Sequence, residues 1–198
     1  KNYFANFFLS NSDIKVNLNK NEIKILNKQK EDWKIDIIDT GVNTMTGGRL
    51  KRVEKYVGDD DFFFTYGDGL SNVNLNDLLK FHKSNKSIAT LTAVNTPERF
   101  GKLSINNATN VVESFKEKPQ NSDEWINGGF FVLSKEVFNF IEDDSTIFEK
   151  HTLEKISDKG MLSAFKHDGF WHAMDKLSDK KYLEEKWNSN SAPWKVWE

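Results

Sequence analysis

The sequence contains no cysteine, which excludes disulfide bridges, thiolate zinc sites and cysteine nucleophiles. Proline is also scarce, with three in 198 residues, and there is no low-complexity linker or internal repeat. We therefore predict one domain over residues 1–198. No segment is long and apolar enough to cross a bilayer, and the first residues show no cleavage-site pattern. From these absences we expect no membrane partner and a cytoplasmic location.

Neither positive nor negative charge is in large excess, since the net charge is -2 and the pI is about 6.2. Such a balance supplies no long-range attraction to nucleic acid, so we predict no nucleic-acid partner. Hydrophobic residues make up 37% of the chain and aromatic residues 13%. Disordered chains are poor in both, so this chain is predicted to fold.

Strand-like and helix-like segments alternate along the chain. A short continuous apolar run at residues 61–66 is typical of a strand buried on both faces. Alternation around such a strand predicts an α/β fold with a mixed, mostly parallel sheet covered by helices. The other predicted strands are residues 14–18, 22–26, 33–39, 88–94, 111–115, 128–133 and 161–167, and the predicted helices are 48–56, 76–86, 135–141 and 152–159.

The first candidate site follows the apolar run, where Tyr66 precedes Gly67-Asp68-Gly69. Ligands of α/β sheets bind at the carboxyl ends of strands, and an aspartate there could hold a metal ion. Flanking glycines would let the backbone approach a ligand closely. The same three residues also fit an ordinary turn, and local sequence leaves both interpretations open.

A second acid, Asp175, follows the β-like stretch around Trp171 and His172. Magnesium is usually held by one or two carboxylates together with substrate phosphates, so Asp68 and Asp175 could form a pair across a cleft. Asp175 could instead cap the helix predicted over residues 176–187.

Two further polar clusters are candidates for contacts with a phosphorylated substrate. In the first, Glu117 could accept hydrogen bonds from sugar hydroxyls, Lys118 is a compact charge suited to phosphate, and Asn127-Gly128-Gly129 offers an amide and exposed backbone. A solvated strand end and a tight turn would explain the same residues.

The other cluster is Thr46-Gly47-Gly48, which opens a predicted helix and could face an anion or a nucleotide edge. A lone Gly-Gly pair is weak evidence, because it lacks the spacing of the common glycine-rich phosphate motifs.

Taken in order, these motifs resemble the glucose-1-phosphate cytidylyltransferases, which are sugar-1-phosphate nucleotidyltransferases. The resemblance covers essentially the whole chain. It rests on the motifs Asp39-Thr40-Gly41, residues 45–53, Tyr66-Gly67-Asp68-Gly69, Arg99-Phe100-Gly101, residues 115–119, residues 126–133, Gly169-Phe170-Trp171, Met174-Asp175 and the closing tryptophans Trp194 and Trp197.

This resemblance implies a Rossmann-like nucleotidyltransferase fold and a magnesium-dependent reaction. The partners would be CTP and α-D-glucose 1-phosphate, and the products CDP-glucose and pyrophosphate, for surface polysaccharide synthesis. A homo-oligomer is expected of the full-length form.

The resemblance also implies residue roles. Asp68 and Asp175 would hold magnesium, and Lys118 would meet the phosphate as a third catalytic residue. The implied substrate-binding residues are Thr46, Gly47, Gly48, Tyr66, Gly67, Gly101, Glu117, Asn127 and Gly128.

The sequence departs from the family's pattern at its front, where the family's glycine-rich loop with Gly-Thr-Arg is not found. That loop stabilises the triphosphate, so we expect residues 1–198 alone to be inactive and the domain to be incomplete at its N-terminal side. Two alternatives stay open: a uridylyl- or thymidylyltransferase of the same fold, and a non-catalytic remnant that binds sugar phosphate.

Overall fold

A computed structural model of the chain describes residues 1–27, 33–95, 102–105, 109–116 and 125–197. The chain divides into two compact units, Lys1–Thr40 and Gly41–Glu198, and each is described by itself. None of the helices in these described ranges has the length and apolarity that crossing a membrane requires. One domain over residues 1–198 stays a prediction.

The first unit consists of two short helical turns and one hairpin. These are α1 (Asn2–Ala5), α2 (Phe7–Ser10), β1 (Ile14–Asn17) and β2 (Glu22–Ile25), and the two strands pair antiparallel. The predicted strands at 14–18 and 22–26 are confirmed. The predicted strand at 33–39 is wrong: these residues join no ladder in the described part of the unit, and alternation without a partner strand does not make a strand.

The predicted elements of the second unit appear in order to within a few residues, and the unit also contains two strands that were not predicted, Gly69–Ser71 and Lys102–Ile105. Its helices and strands are α3 (Thr46–Arg52), β3 (Phe62–Thr65), β4 (Gly69–Ser71), α4 (Leu75–Asn85), β5 (Ala89–Val94), β6 (Lys102–Ile105), β7 (Val112–Lys116), β8 (Ile126–Leu133), α5 (Glu154–Asp158), β9 (Leu162–His167), β10 (Trp171–Ala173) and α6 (Leu177–Asn188). The turns at Glu54–Tyr56 and Lys135–Phe140 are 3₁₀ helices, and Phe148–Leu153 forms a π-helix.

The main sheet has four strands in the order β3-β8-β5-β9 and is mixed, as predicted. β3, β5 and β9 run in one direction, but β8 lies reversed between β3 and β5, so among the strands that the structure describes only β5 and β9 form a parallel pair. The predicted predominance of parallel pairing is therefore corrected. β8 is antiparallel to β5 because the chain returns to the sheet at the end where β5 finished, with Ile126 opposite Val94. Parallel pairing would have required a crossover to the other edge.

The predicted burial of β3 on both faces is also corrected. The strand alternates, with Phe62 and Phe64 turned inward and Phe63 47% exposed, and within the described residues it pairs on one side only, with β8. A short run of aromatic residues cannot by itself distinguish an edge strand from a central one.

The core lies on the face of the sheet covered by the helical segments after β8. Phe131 and Leu133 of β8 are fully buried with Phe148 and Ile156. The aromatic rings interlock: the Phe64 ring lies 5.2 Å from Phe148 and 5.6 Å from Phe131, centroid to centroid. Such pairs add to the free energy of burial because the rings meet edge to face or tilted.

On the sheet's flank, α4 begins at Asn74, whose side chain accepts hydrogen bonds from the amides of Asn76 and Asp77. It buries His82, which is 3% exposed, with Nδ1 2.8 Å from Thr90 Oγ1 and Nε2 3.6 Å from Asp61 Oδ1. Burial lowers the pKa of His82 below its ordinary value, and the carboxylate of Asp61 opposes the shift.

This burial predicts a pH-dependent stability. The unfolded chain takes up a proton at position 82 more readily than the folded chain, so stability is full above the ordinary histidine pKa and is lost as pH falls below it. Between pH 7.5 and 5 we expect the thermal midpoint to fall more steeply in the wild type than in His82→Gln, as followed by circular dichroism. Equal slopes in the two proteins would contradict the prediction.

Candidate active site

The two predicted metal ligands lie at one edge of the second unit because of a short ladder. β4 and β10 pair antiparallel with Gly69 opposite Ala173, and the amide of Met174 donates to the carbonyl of Asp68 at 2.8 Å. Asp175 is the next residue, so the backbones of two acids remote in sequence lie at the same end of one ladder. Both are exposed.

Carboxylates held in this way suit magnesium, which prefers oxygen ligands. Among the described residues, no group of three or more His, Cys, Asp or Glu side chains is placed to hold a metal ion. A magnesium ion at Asp68 and Asp175 would therefore complete its coordination with water and substrate oxygens, which is its usual behaviour in nucleotide sites.

Asn127 is placed by a bulge in β8. Leu91 pairs with Phe131 and Ala93 with Asn127, so three residues of β8 lie opposite the single residue Thr92. Gly129 adopts a positive φ of 76°, and its amide donates to Asn127 Oδ1 at 2.9 Å. Bulges of this kind re-aim side chains and are frequent beside active sites.

Close packing also explains Gly128. A Cβ atom at this position would lie 2.9 Å from Val94 Cγ1 and 3.0 Å from the carbonyl oxygen of Thr92. Trp171 Nε1 donates to the carbonyl of Gly128 at 2.7 Å, so β10, the strand that precedes Asp175, also holds the bulge. The structure thus gives Gly128 a packing role, and its predicted contact with substrate stays a prediction.

Tyr66 stands at the centre of a side-chain network. Its hydroxyl donates to Glu149 Oε1 at 2.6 Å and accepts from Asn127 Nδ2 at 3.4 Å. Burial raises the pKa of Tyr66, and the hydrogen bond to the Glu149 carboxylate raises it further. The phenol therefore stays neutral at physiological pH.

Thr46 joins the same network from helix α3. Its Oγ1 donates to Glu149 Oε2 at 3.0 Å and accepts from the amide of Phe148 at 2.9 Å. The amides of Gly47 and Gly48 both donate to the carbonyl of Thr146, at 2.9 and 3.3 Å. Since these amides are engaged within the chain, the glycines serve close packing of α3, and nucleotide contact by Thr46-Gly47-Gly48 stays a prediction.

The structure thus gathers part of the predicted site. Tyr66 and the exposed Gly67 follow β3, and Asn127 lies in the first residues of β8, where β5 ends. Asp68 and Asp175 flank the β4–β10 ladder. The predicted Gly101, Glu117 and Lys118 lie outside the described residues.

Sequence reasoning missed Glu149 and gave Trp171 no role of its own. Glu149 is half-buried in a π-helix, next to the buried Phe148, and belongs to no motif that signals chemistry. The only local signal is a charged residue inside an apolar segment, Ile147-Phe148-Glu149.

The chain is similar to known proteins along most of its length. The family model described as nucleotidyl transferase matches residues 11–185. A glucose-1-phosphate cytidylyltransferase of Salmonella typhimurium is 47% identical over 199 aligned residues, which cover 100% of this chain and 77% of that protein. A probable glucose-1-phosphate cytidylyltransferase of Bacillus subtilis is 37% identical, over 100% of this chain and 76% of that protein.

Solved structures share the fold. HddC from Yersinia pseudotuberculosis superposes with a TM-score of 0.61 at 24% identity, over 79% of this chain and 68% of that one. The inositol-1-phosphate CTP transferase from T. maritima gives a TM-score of 0.51 at 21% identity, over 78% of this chain and 64% of that one. Together with the family match, these similarities confirm the predicted nucleotidyltransferase fold.

The packing of α3 predicts a stability effect. A Cβ atom at Gly48 would lie 2.5 Å from Asp144 Cα and 2.7 Å from its carbonyl oxygen, so backbone would have to move. We expect Gly48→Ala to lower the free energy of unfolding by about 2 kcal/mol or more, as measured by urea denaturation.

The matched control is Gly58→Ala, because nothing lies within 4 Å of a Cβ atom at that exposed position. We expect this variant to unfold at nearly the wild-type urea concentration. Equal destabilisation in the two variants would contradict the assignment of Gly48 to close packing.

Proposed function

This chain belongs to the nucleotidyl transferase family, and from that premise we propose that it transfers a cytidylyl group from CTP to α-D-glucose 1-phosphate. The products are CDP-glucose and pyrophosphate. The observation that carries the proposal is similarity along the entire chain to proteins named glucose-1-phosphate cytidylyltransferase.

The site geometry supports transfer between two anionic substrates. A triphosphate and a sugar phosphate bring several negative charges into one cleft, and their mutual repulsion must be offset before they can react. Asp68 and Asp175, carried on the β4–β10 ladder, would hold Mg²⁺ where the two substrates meet. When bound, the ion supplies Lewis-acid polarisation of phosphoryl oxygens and charge neutralisation.

The proposed chemistry is one in-line displacement. A phosphate oxygen of glucose 1-phosphate attacks the α-phosphorus of CTP, and a new oxygen–phosphorus bond forms. The bond from the α-phosphorus to the bridging oxygen breaks, and its electron pair leaves with pyrophosphate. The attacking phosphate is already ionised at neutral pH, so no residue must act as a general base. Catalysis then depends on position and charge.

The remaining residues would bind and orient. Asn127 uses one oxygen and one N–H within the chain, which leaves amide capacity for a sugar hydroxyl. Tyr66 lies beside it, where its ring can contact sugar or base. We propose the phosphate contact for Lys118, the hydroxyl contact for Glu117 and close backbone approach for Gly101, from the family resemblance alone.

Three further parts of the proposal concern base, compartment and assembly. Base choice depends on few contacts, so the nearest alternative is uridylyl or thymidylyl transfer by the same site; whole-chain similarity to cytidylyltransferases favours CTP. A non-catalytic sugar-phosphate binder is disfavoured because Asp68 and Asp175 are placed together. We also propose the cytoplasm, where nucleotide substrates are made, and a homo-oligomer.

The metal assignment predicts that Asp68→Asn removes turnover and leaves the fold intact. Asparagine keeps the shape and one oxygen but removes the charge, so the metal and the triphosphate are misplaced. Loss of a single electrostatic contact costs roughly 10²–10³ in rate at comparable sites, and loss of the metal should cost more. The measurement is pyrophosphate release with glucose 1-phosphate, magnesium and CTP, UTP, dTTP or ATP, in the protein expressed from its complete gene.

The matched control is Asp60→Asn, the same chemical change at an exposed position by the amino end of β3, the opposite end of the strand from Asp68. It should retain wild-type turnover. Preference for UTP or dTTP would refute the cytidylyl assignment and keep the family. Wild-type rates in Asp68→Asn would overturn the proposed metal site.

A further inference from the structure

Glu149 is a half-buried carboxylate whose two oxygens are both used by side chains of the candidate site. Oε1 accepts from the Tyr66 hydroxyl at 2.6 Å, and Oε2 accepts from Thr46 Oγ1 at 3.0 Å. Hydrogen bonds to an ionised acceptor are short and about twice as strong as neutral ones, so one carboxylate fixes two hydroxyl groups.

These two bonds connect three elements of the second unit. Thr46 opens α3, Tyr66 follows β3, and Glu149 belongs to the π-helix Phe148–Leu153. From Tyr66 the network continues to Asn127, at the start of β8. The π-helix is a rare geometry that concentrates at functional sites.

Other contacts already hold these elements together, so the carboxylate is not needed as a structural tie. The amides of Gly47 and Gly48 bind the carbonyl of Thr146, and Phe148 is fully buried against Phe131 and Phe64. What Glu149 adds is the direction of two hydroxyl protons, because the hydroxyls of Tyr66 and Thr46 both donate to it.

We infer that Glu149 is a positioning residue that orients Tyr66 and Thr46 toward the sugar phosphate and the nucleotide. Each hydroxyl donates to Glu149 and accepts within the chain, from Asn127 Nδ2 or from the amide of Phe148, so each is held in one direction and the Tyr66 ring is held beside Asn127. Glu149 touches no substrate itself. The inference rests on the proposed function and on the family resemblance, which implies substrate contact for Tyr66 and Thr46.

Glu149→Gln tests this role, because it keeps the size of the side chain and removes one acceptor. We expect KM for glucose 1-phosphate and for CTP to rise roughly tenfold, the cost of one charge-assisted hydrogen bond, with kcat changed much less. A merely structural defect would lower the active fraction, and hence kcat, without moving KM. The protein is the one expressed from its complete gene, and the readout is pyrophosphate release.

Two companion variants sharpen the test. Tyr66→Phe combined with Glu149→Gln should raise KM for glucose 1-phosphate by less than the product of the single effects, because both changes remove one interaction. Glu154→Gln, the same substitution at an exposed position of α5, should leave both KM values unchanged.

The outcomes separate the two proposals. Wild-type KM values in Glu149→Gln, in a protein that makes CDP-glucose, would overturn the inference alone, as would full multiplicativity in the double variant. Absence of turnover by the wild type with CTP, UTP, dTTP and ATP would overturn the proposed function and the inference with it.

Discussion

The reversed pairing of β8 between β3 and β5 is the constraint on which the rest of the second unit depends. Because β8 runs against its neighbours, its first residues lie at the edge where β3 and β5 end, and its last residues lie deep in the core. One strand therefore presents Asn127 to the site and buries Phe131 and Leu133 completely. The candidate site therefore lies at the carboxyl ends of β3 and β5, the position where α/β sheets usually bind ligands.

A second, smaller pairing completes the site. The β4–β10 ladder carries an acid at each of its adjoining ends, and the hydrogen bond from Met174 to Asp68 continues the ladder one residue further. Backbone held by paired strands limits where these two carboxylates can lie, and electrostatic catalysis favours charges that need not reorganise during reaction. Trp171 of the same ladder donates to the carbonyl of Gly128, so the ladder also supports the bulge beside Asn127.

At Gly48, Gly128 and Gly129 the folded chain itself requires glycine, without reference to any ligand. Gly48 and Gly128 lie where an added Cβ atom would meet backbone within about 3 Å, and Gly129 needs a positive φ at the bulge of β8. A glycine motif read from sequence therefore marks a close approach of backbone without saying what approaches. The amides of Gly47 and Gly48 donate to the carbonyl of Thr146, which belongs to the same chain.

The identity and order of most elements could be predicted from the sequence, because hydrophobic periodicity and helix capping act over a few residues. β5, β8, β9 and the Asn74-capped α4 all lie near their predicted positions. The sequence also placed Asp68 and Asp175 after strands. It did not determine that β8 is reversed, that β3 has a neighbour on one side in the described residues, or that residues 33–39 are not a strand. Only the tertiary structure brought Glu149 to Tyr66 and Thr46, because such contacts arise from pairing between distant segments, and that pairing leaves no trace in local pattern.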